Sequence, residues 1–253
     1  MTQIKICGIT SLEDALHAAA CGADALGFIF YPPSPRYISP TEAREIIARL
    51  PPYLCRVGVF VNEEEEAVRK TAADCGLDMI QLHGDETPEY CAGLGDREML
   101  IKALTPATEE DLRQAARYPT AAILVDARTE GLYGGTGRRS SWALAAKMRD
   151  SMKIVLAGGL HSGNIRAALR QVRPGAVDIN SGVEKSPGKK DPEKVAEIIR
   201  IIREEEKREA VKREEVVFRL PACRRHSDQR RGYPKQRGMA PGEIKLYICK
   251  RDI

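Results

Sequence analysis

Aromatic residues are scarce in this chain. They make up 5% of its 253 residues, with four Phe and one Trp. A core this poor in rings has to be filled by Ile, Val, Leu and Ala, which suits parallel strands buried on both faces. There is no run of about 18 apolar residues, the length that a membrane-crossing helix needs. Residues Met1–Ile6 enter an apolar, strand-like stretch without the basic start and long apolar middle of a secretory signal. The expected location is the cytoplasm, with no membrane partner. The seven cysteines (Cys7, Cys21, Cys55, Cys75, Cys91, Cys223 and Cys249) include no CxxC pair, and their number is odd. Neither a disulfide framework nor a zinc site is expected, and most of them read as small buried hydrophobes. No His, Asp and Glu cluster has metal-ligand spacing, so no metal is expected.

Charge is present but unevenly spread. Glu204–Ile253 holds 14 Lys and Arg against 9 Asp and Glu, whereas the residues before it hold 26 against 27. The basic excess therefore belongs to the tail and says nothing about what the main body binds.

Eight short β-branched runs recur along the main body: Gln3–Ile6, Ala25–Phe30, Arg56–Val61, Met79–Leu82, Met99–Lys102, Ala121–Val125, Lys153–Leu156 and Ala176–Ile179. Segments with helical spacing, such as Leu12–Ala20, Pro40–Arg49, Glu63–Cys75 and Trp142–Arg149, lie between them. Strand then helix, eight times over, predicts an α/β protein, a single-domain (β/α)₈ TIM barrel. An open doubly wound sheet is the competing topology, but it carries its glycine-rich loop after the first strand, and here the glycine-rich loops come late. Thr10–Ser11 and Asn62 are expected to cap helices, and Asp191–Pro192 to start the last one. The barrel is expected to span residues 1–206. The rest, 207–253, is read as a charged, poorly ordered extension holding a short strand at Ile244–Cys249. Arg224, Arg225, Arg230, Arg231, Lys235 and Arg237 invite a nucleic-acid reading. Tyr233 is the one aromatic among them, too little for a stacking platform, so the tail reads as solvated charge and no nucleic-acid partner is expected.

Barrels of this kind place catalytic groups at the C-terminal ends of their strands. At the end of the first run, period two sets Lys5 and Cys7 on one face and Ile4 and Ile6 on the other. Cys7 is then expected to point into the barrel mouth, with Lys5 below it favouring the thiolate that a general base requires. Asp126 closes five apolar residues at the end of the sixth run, where an unpaired buried carboxylate would be costly. The first and sixth strands lie on roughly opposite sides of an eight-stranded barrel, so Cys7 and Asp126 can flank one ligand as base and acid. The seventh run ends in Gly158-Gly159, and the eighth in Asn180-Ser181-Gly182. Glycines let backbone N–H groups approach an anion, and a phosphate site after the last two strands recurs in this fold. The loop Gly134-Gly135-Thr136-Gly137 reads as a lid. Arg36, in the proline-rich stretch Pro32–Tyr37, suits a carboxylate, and His83 is expected to touch ligand. The predicted partner is a small phosphorylated molecule, bound by a monomer or a homodimer.

In series these motifs resemble one family. Lys5–Thr10, Gly27–Phe30, Ser34–Ile38, Val57–Asn62, Gln81–Gly84, Gly134–Gly137, Leu156–Leu160 and Ser181–Asp191 look like phosphoribosylanthranilate isomerase of tryptophan biosynthesis, in order from residue 3 to about 203. The resemblance implies a cofactor-free Amadori rearrangement, with Asp126 the general acid that opens the ribose ring and Cys7 the general base that takes the C2′ proton. It further implies phosphate held by backbone groups at Gly159 and Ser181–Gly182, and the anthranilate carboxylate held by Arg36. Indole-3-glycerol phosphate synthase and histidine-pathway sugar isomerases share the phosphate loops but carry other residues where this chain has Cys7. Two departures stand out: Arg138-Arg139-Ser140-Ser141 replaces the aromatic and Asp that usually precede Trp142, and Asn180 stands where serine is common.

Overall fold

The computed structural model describes residues 1–126 and 138–218, and for 138–141 and 212–218 the backbone alone. Strands and helices alternate. The strands are β1 (Gln3–Cys7), β2 (Ala25–Ile29), β3 (Cys55–Phe60), β4 (Met79–Leu82), β5 (Leu100–Leu104), β6 (Ala122–Asp126), β7 (Ile154–Ala157) and β8 (Ala176–Ile179). The helices that follow them in turn are α1 (Leu12–Cys21), α2 (Pro40–Ile47), α3 (Glu65–Cys75), α4 (Pro88–Leu94), α5 (Glu109–Ala115), α6 (Arg138–Arg149), α7 (Ile165–Val172) and α8 (Pro192–Phe218). All eight strands are parallel, and β8 returns to pair with β1, Gln3 opposite Ala176 and Ile6 opposite Ile179. The sheet is therefore a closed (β/α)₈ barrel, as the alternation of strand-like and helix-like segments requires.

Strand periodicity divides the apolar residues into two layers. Ile4, Ile6, Leu26, Leu82, Leu100 and Leu156 face outward into one continuous core with the helices. Val57, Ile101, Leu124 and Val155 face inward and fill the barrel, with small Ala103 and Ala157 between them. Near the mouth a third, small cluster holds Cys7, Ile29 and Val59.

Local signals start and stop the helices. Ser11 caps α1 by accepting from Asp14 N, and Ser39 and Glu42 form a reciprocal capping box before Pro40 at the start of α2. Asp191 Oδ1 accepts from the backbone of Glu193 and Lys194 at the start of α8. The expectation for Asn62 fails. Helix α3 begins at Glu65 with no side-chain cap, while Asn62 adopts φ 51° and ties its side chain to Asp85 across the mouth of β4. The expected start of the fifth strand at Met99 is instead the end of a 3₁₀ turn, Arg97–Met99. A short antiparallel ribbon, β9 (Glu184–Ser186) with β10 (Lys189–Lys190), follows β8 and was not foreseen; Pro187-Gly188 is its turn. Helix α8 continues past residue 206 to Phe218, and within it Glu205, 2% exposed, pairs with Arg166 and Arg170 of α7. The glycine loop Gly134–Gly137, Cys223, Cys249 and the strand expected at Ile244–Cys249 lie outside the described residues.

Candidate active site

The C-terminal ends of the strands converge on a cavity lined by Cys7, Ile29, Val59, Gln81, His83, Asp126, Ala157, Gly158, Gly159, Leu160, Asp178, Asn180 and Ser181. Seven of the residues expected from sequence meet there: Cys7, His83, Asp126, Gly158, Gly159, Asn180 and Ser181. Cys7 enters from β1, where Ile4 and Ile6 turn outward and the thiol turns in, leaving it 4% exposed. Asp126 ends β6, and its side chain keeps 15% of its surface open. His83 follows β4 and brings Nε2 to 3.6 Å from Asp126 Oδ2.

Beneath the thiol lies a buried polar layer. Lys5 Nζ donates to Asp178 Oδ2 at 2.8 Å and to Gln81 Oε1 at 2.9 Å, and Asp178 Oδ1 is buried without a hydrogen-bond partner among the described residues. Burial by itself works against the Lys5 charge, but the carboxylate of Asp178 and the sulfur of Cys7 hold this ammonium above its ordinary range. Lys5 favours the Cys7 thiolate, as expected, but does not prevail. Burial pushes the Cys7 thiol up, Asp178 adds to that, and Lys5 and Lys190 offset them only in part. Desolvation outweighs the neighbouring cations because burial disfavours the charged form of the thiol.

After β7, Gly158 and Gly159 take φ 91° and 65°, a left-handed pair that glycine adopts without penalty and that turns backbone toward the cavity. After β8 a single 3₁₀ turn, Ser181–Val183, aims its first residue at the same space. Gly182 does not line the cavity. A Cβ there would collide with the Leu160 carbonyl, so its role is to let the two loops pack together.

Arg36 lies beside Gly8 and Asn180 but does not line the cavity, and its Nε and Nη2 donate to both oxygens of Glu184 at 2.6–3.1 Å. Glu184 also accepts from Lys190 Nζ at 2.9 Å, and the same ammonium reaches Asn180 Oδ1 at 3.0 Å. Burial alone would raise the Glu184 carboxyl, but Arg36 and Lys190 hold it below the usual range. Lys190 itself is lowered by burial, which Glu184 offsets in part. Gln81, Asp178, Glu184 and Lys190 were not singled out as site residues. For Gln81 and Asp178 a signal existed, since each is a polar residue at an inward position of a buried strand, two residues before one that was singled out. Gly135 lies outside the described residues, so its place relative to the cavity is not part of this geometry. Among the described residues no group of three or more His, Cys, Asp and Glu could hold a metal, and no helix is long and apolar enough to cross a membrane.

The family model for N-(5′-phosphoribosyl)anthranilate (PRA) isomerase matches residues 4–201. The N-(5′-phosphoribosyl)anthranilate isomerase of Syntrophus aciditrophicus is 53% identical over 203 residues, 80% of this chain and 88% of that protein. The crystal structure of the Thermotoga maritima phosphoribosyl anthranilate isomerase is 48% identical, covers 79% of this chain and 97% of its own, and superposes with a TM-score of 0.72. A second structure of such an isomerase, in complex with reduced 1-(o-carboxyphenylamino)-1-deoxyribulose 5-phosphate, is 45% identical over 79% of this chain and 97% of its own, with a TM-score of 0.70. With the barrel, the mouth and these matches in register, the chain belongs to the N-(5′-phosphoribosyl)anthranilate isomerase family.

Proposed function

We propose that this protein converts N-(5′-phosphoribosyl)anthranilate to 1-(2-carboxyphenylamino)-1-deoxyribulose 5-phosphate by an Amadori rearrangement, a step of tryptophan biosynthesis. The observation that carries the reading is the pairing, across one cavity, of a buried thiol on β1 with a carboxyl group on β6. Asp126 donates a proton to the ribose ring oxygen, and the ring opens to a Schiff base. Cys7 as thiolate takes the proton from C2′, giving an enolamine that becomes the ketone. The reaction only relocates protons, so two side chains of opposite duty suffice and no cofactor is invoked. The turns at Gly158–Gly159 and Ser181 offer backbone N–H groups to the phosphate. Support for the substrate comes from the relative solved with a reduced form of the product.

For the anthranilate carboxylate, Arg36 retains Nη1, the arm that Glu184 does not engage. A single arm gives one charge-assisted bond instead of a fork, so Arg36 contributes position more than tight binding. We further propose a cytoplasmic enzyme that works as a monomer or homodimer, both forms being named for the Thermotoga maritima relative, with residues 207–253 an extension outside the catalytic unit. The test is genetic. A tryptophan auxotroph that lacks this isomerase grows without tryptophan when it carries this chain, and does not when it carries the Cys7→Ala variant. Failure of the unmodified chain, expressed in soluble form, would refute the reading.

A further inference from the structure

Gln81 has no part in the acid–base scheme above, yet it sits between the two halves of the site. Its side chain spans from Lys5, directly below Cys7, to His83, directly beside Asp126. Lys5 Nζ to Gln81 Oε1 at 2.9 Å and Gln81 Nε2 to His83 Nδ1 at 3.0 Å are hydrogen bonds, and His83 Nε2 lies 3.6 Å from Asp126 Oδ2. Gln81 is 1% exposed and Lys5 4%.

The chemistry of the donors makes this chain directional. A lysine ammonium has three donors and no acceptor, so the end of the Gln81 amide that faces it must be the oxygen. Lys5 is anchored a second time by Asp178 Oδ2 at 2.8 Å, so it does not swing away to release the amide. The other end of Gln81 is then NH₂, which only donates. His83 Nδ1 must accept from it and so carries no proton in the neutral ring. The proton of the neutral imidazole is consequently on Nε2, the nitrogen that faces Asp126. One buried cation on β1 thereby fixes a tautomer at the end of β4.

We propose that Gln81 is a positioning residue: by accepting from Lys5 and donating to His83 Nδ1 it sets the His83 tautomer that presents an N–H to Oδ2 of Asp126. The 3.6 Å separation is longer than a hydrogen bond, and catalytic hydrogen bonds of this kind tighten in the substrate complex. The part of the inference that concerns the acid rests on the isomerase reading above; the tautomer does not.

Long-range ¹⁵N–¹H NMR of the full-length protein reads the tautomer directly, with the His83→Asn variant assigning the signals. The wild-type ring shows a protonated Nε2 and an unprotonated Nδ1. Gln81→Glu keeps an acceptor for Lys5, so the buried ammonium is not orphaned, but it offers His83 an acceptor in place of a donor. In that variant Nδ1 becomes protonated, and kcat for phosphoribosylanthranilate falls by about tenfold or more while KM moves little, a fraction of the ~10²–10⁴ that positioned acids supply. Gln81→Met, which neither donates nor accepts there, gives a mixture of tautomers. A wild-type His83 with its neutral proton on Nδ1 overturns the proposal, as does a Gln81→Glu protein whose His83 signals or kcat match wild type. If the wild-type protein turns over no phosphoribosylanthranilate at all, the isomerase reading fails, and the same spectra still decide the tautomer.

Discussion

At the scale of the residue, Cys7, the proposed base, lies in surroundings that resist its charge. Burial and Asp178 raise its thiol above the ordinary value of 9.0, and Lys5 and Lys190 pull the other way without prevailing. Because the proposed scheme needs a thiolate and a protonated carboxyl together, the raised thiol is expected to set the basic limb of the kcat/KM profile, beyond the ordinary thiol range. A pH–rate profile with its basic limb below that range would contradict this. Cys7 and Asp126 were legible because each breaks a local pattern: one is the inward residue at the end of a strand, the other a carboxylate closing an apolar run. The partner of Arg36 was not legible. Glu184 lies 148 residues away in a ribbon that only the folded barrel brings against the Pro32–Tyr37 loop, and nothing local to Arg36 announces that its guanidinium is already engaged.

At the scale of the element, the turn after β4 is held from behind. Lys102 on β5, 1% exposed, donates to the carbonyl of Gly84 and to Glu86 Oε2, while Glu86 accepts from Gly84 N and Asn62 N. His83 is thereby fixed on a backbone that a buried ion pair clamps. Removing one partner leaves the other charged and unpaired, so Lys102→Met is expected to lower unfolding stability by about 3–5 kcal/mol. Lys102→Met with Glu86→Gln should recover part of it, measured by denaturant melts; additive losses would contradict the clamp. Gly182 tests the phosphate loops. In Gly182→Ala the added methyl meets the Leu160 carbonyl and pries the β7 and β8 turns apart. KM for the phosphorylated substrate should rise on the order of tenfold or more, the loss of one hydrogen bond to a charged group at ~1.5–3 kcal/mol. An unchanged KM would remove those turns from the binding site. Strand identity was readable throughout because buried parallel strands are near-continuous apolar runs. Strand ends drifted by one or two residues because capping and 3₁₀ turns, as at Arg97–Met99, depend on contacts that periodicity does not encode.

At the scale of the molecule, the barrel closes by joining β8 to β1, and α8 is the strap across that seam. Arg203 reaches Asp24 and the Thr2 carbonyl, and Glu205 is pinned by Arg166 and Arg170 of α7. The Arg170 hydrogen bond holds the Glu205 carboxyl below its ordinary range, with burial opposing it. A group whose folded pKa is depressed stabilises the fold above its unfolded pKa and loses that contribution as pH falls through the folded value. Acid titration should therefore loosen the α7–α8 contact below the usual glutamate range, and Glu205→Gln should flatten the dependence of the thermal midpoint on pH there. An identical slope in both proteins would contradict the assignment. The closed topology follows from eight alternations of strand and helix; which helix straps the seam, and through which ions, required the fold itself.

The central claim, that Cys7 and Asp126 act across one mouth as base and acid on phosphoribosylanthranilate, is tested most directly by adding purified protein to freshly prepared substrate and following the loss of its fluorescence. The account predicts rapid loss with the wild-type protein, and rates lower by roughly 10²–10⁴-fold with Cys7→Ala and with Asp126→Ala, each folded as judged by circular dichroism. Near-wild-type turnover in either variant would contradict it.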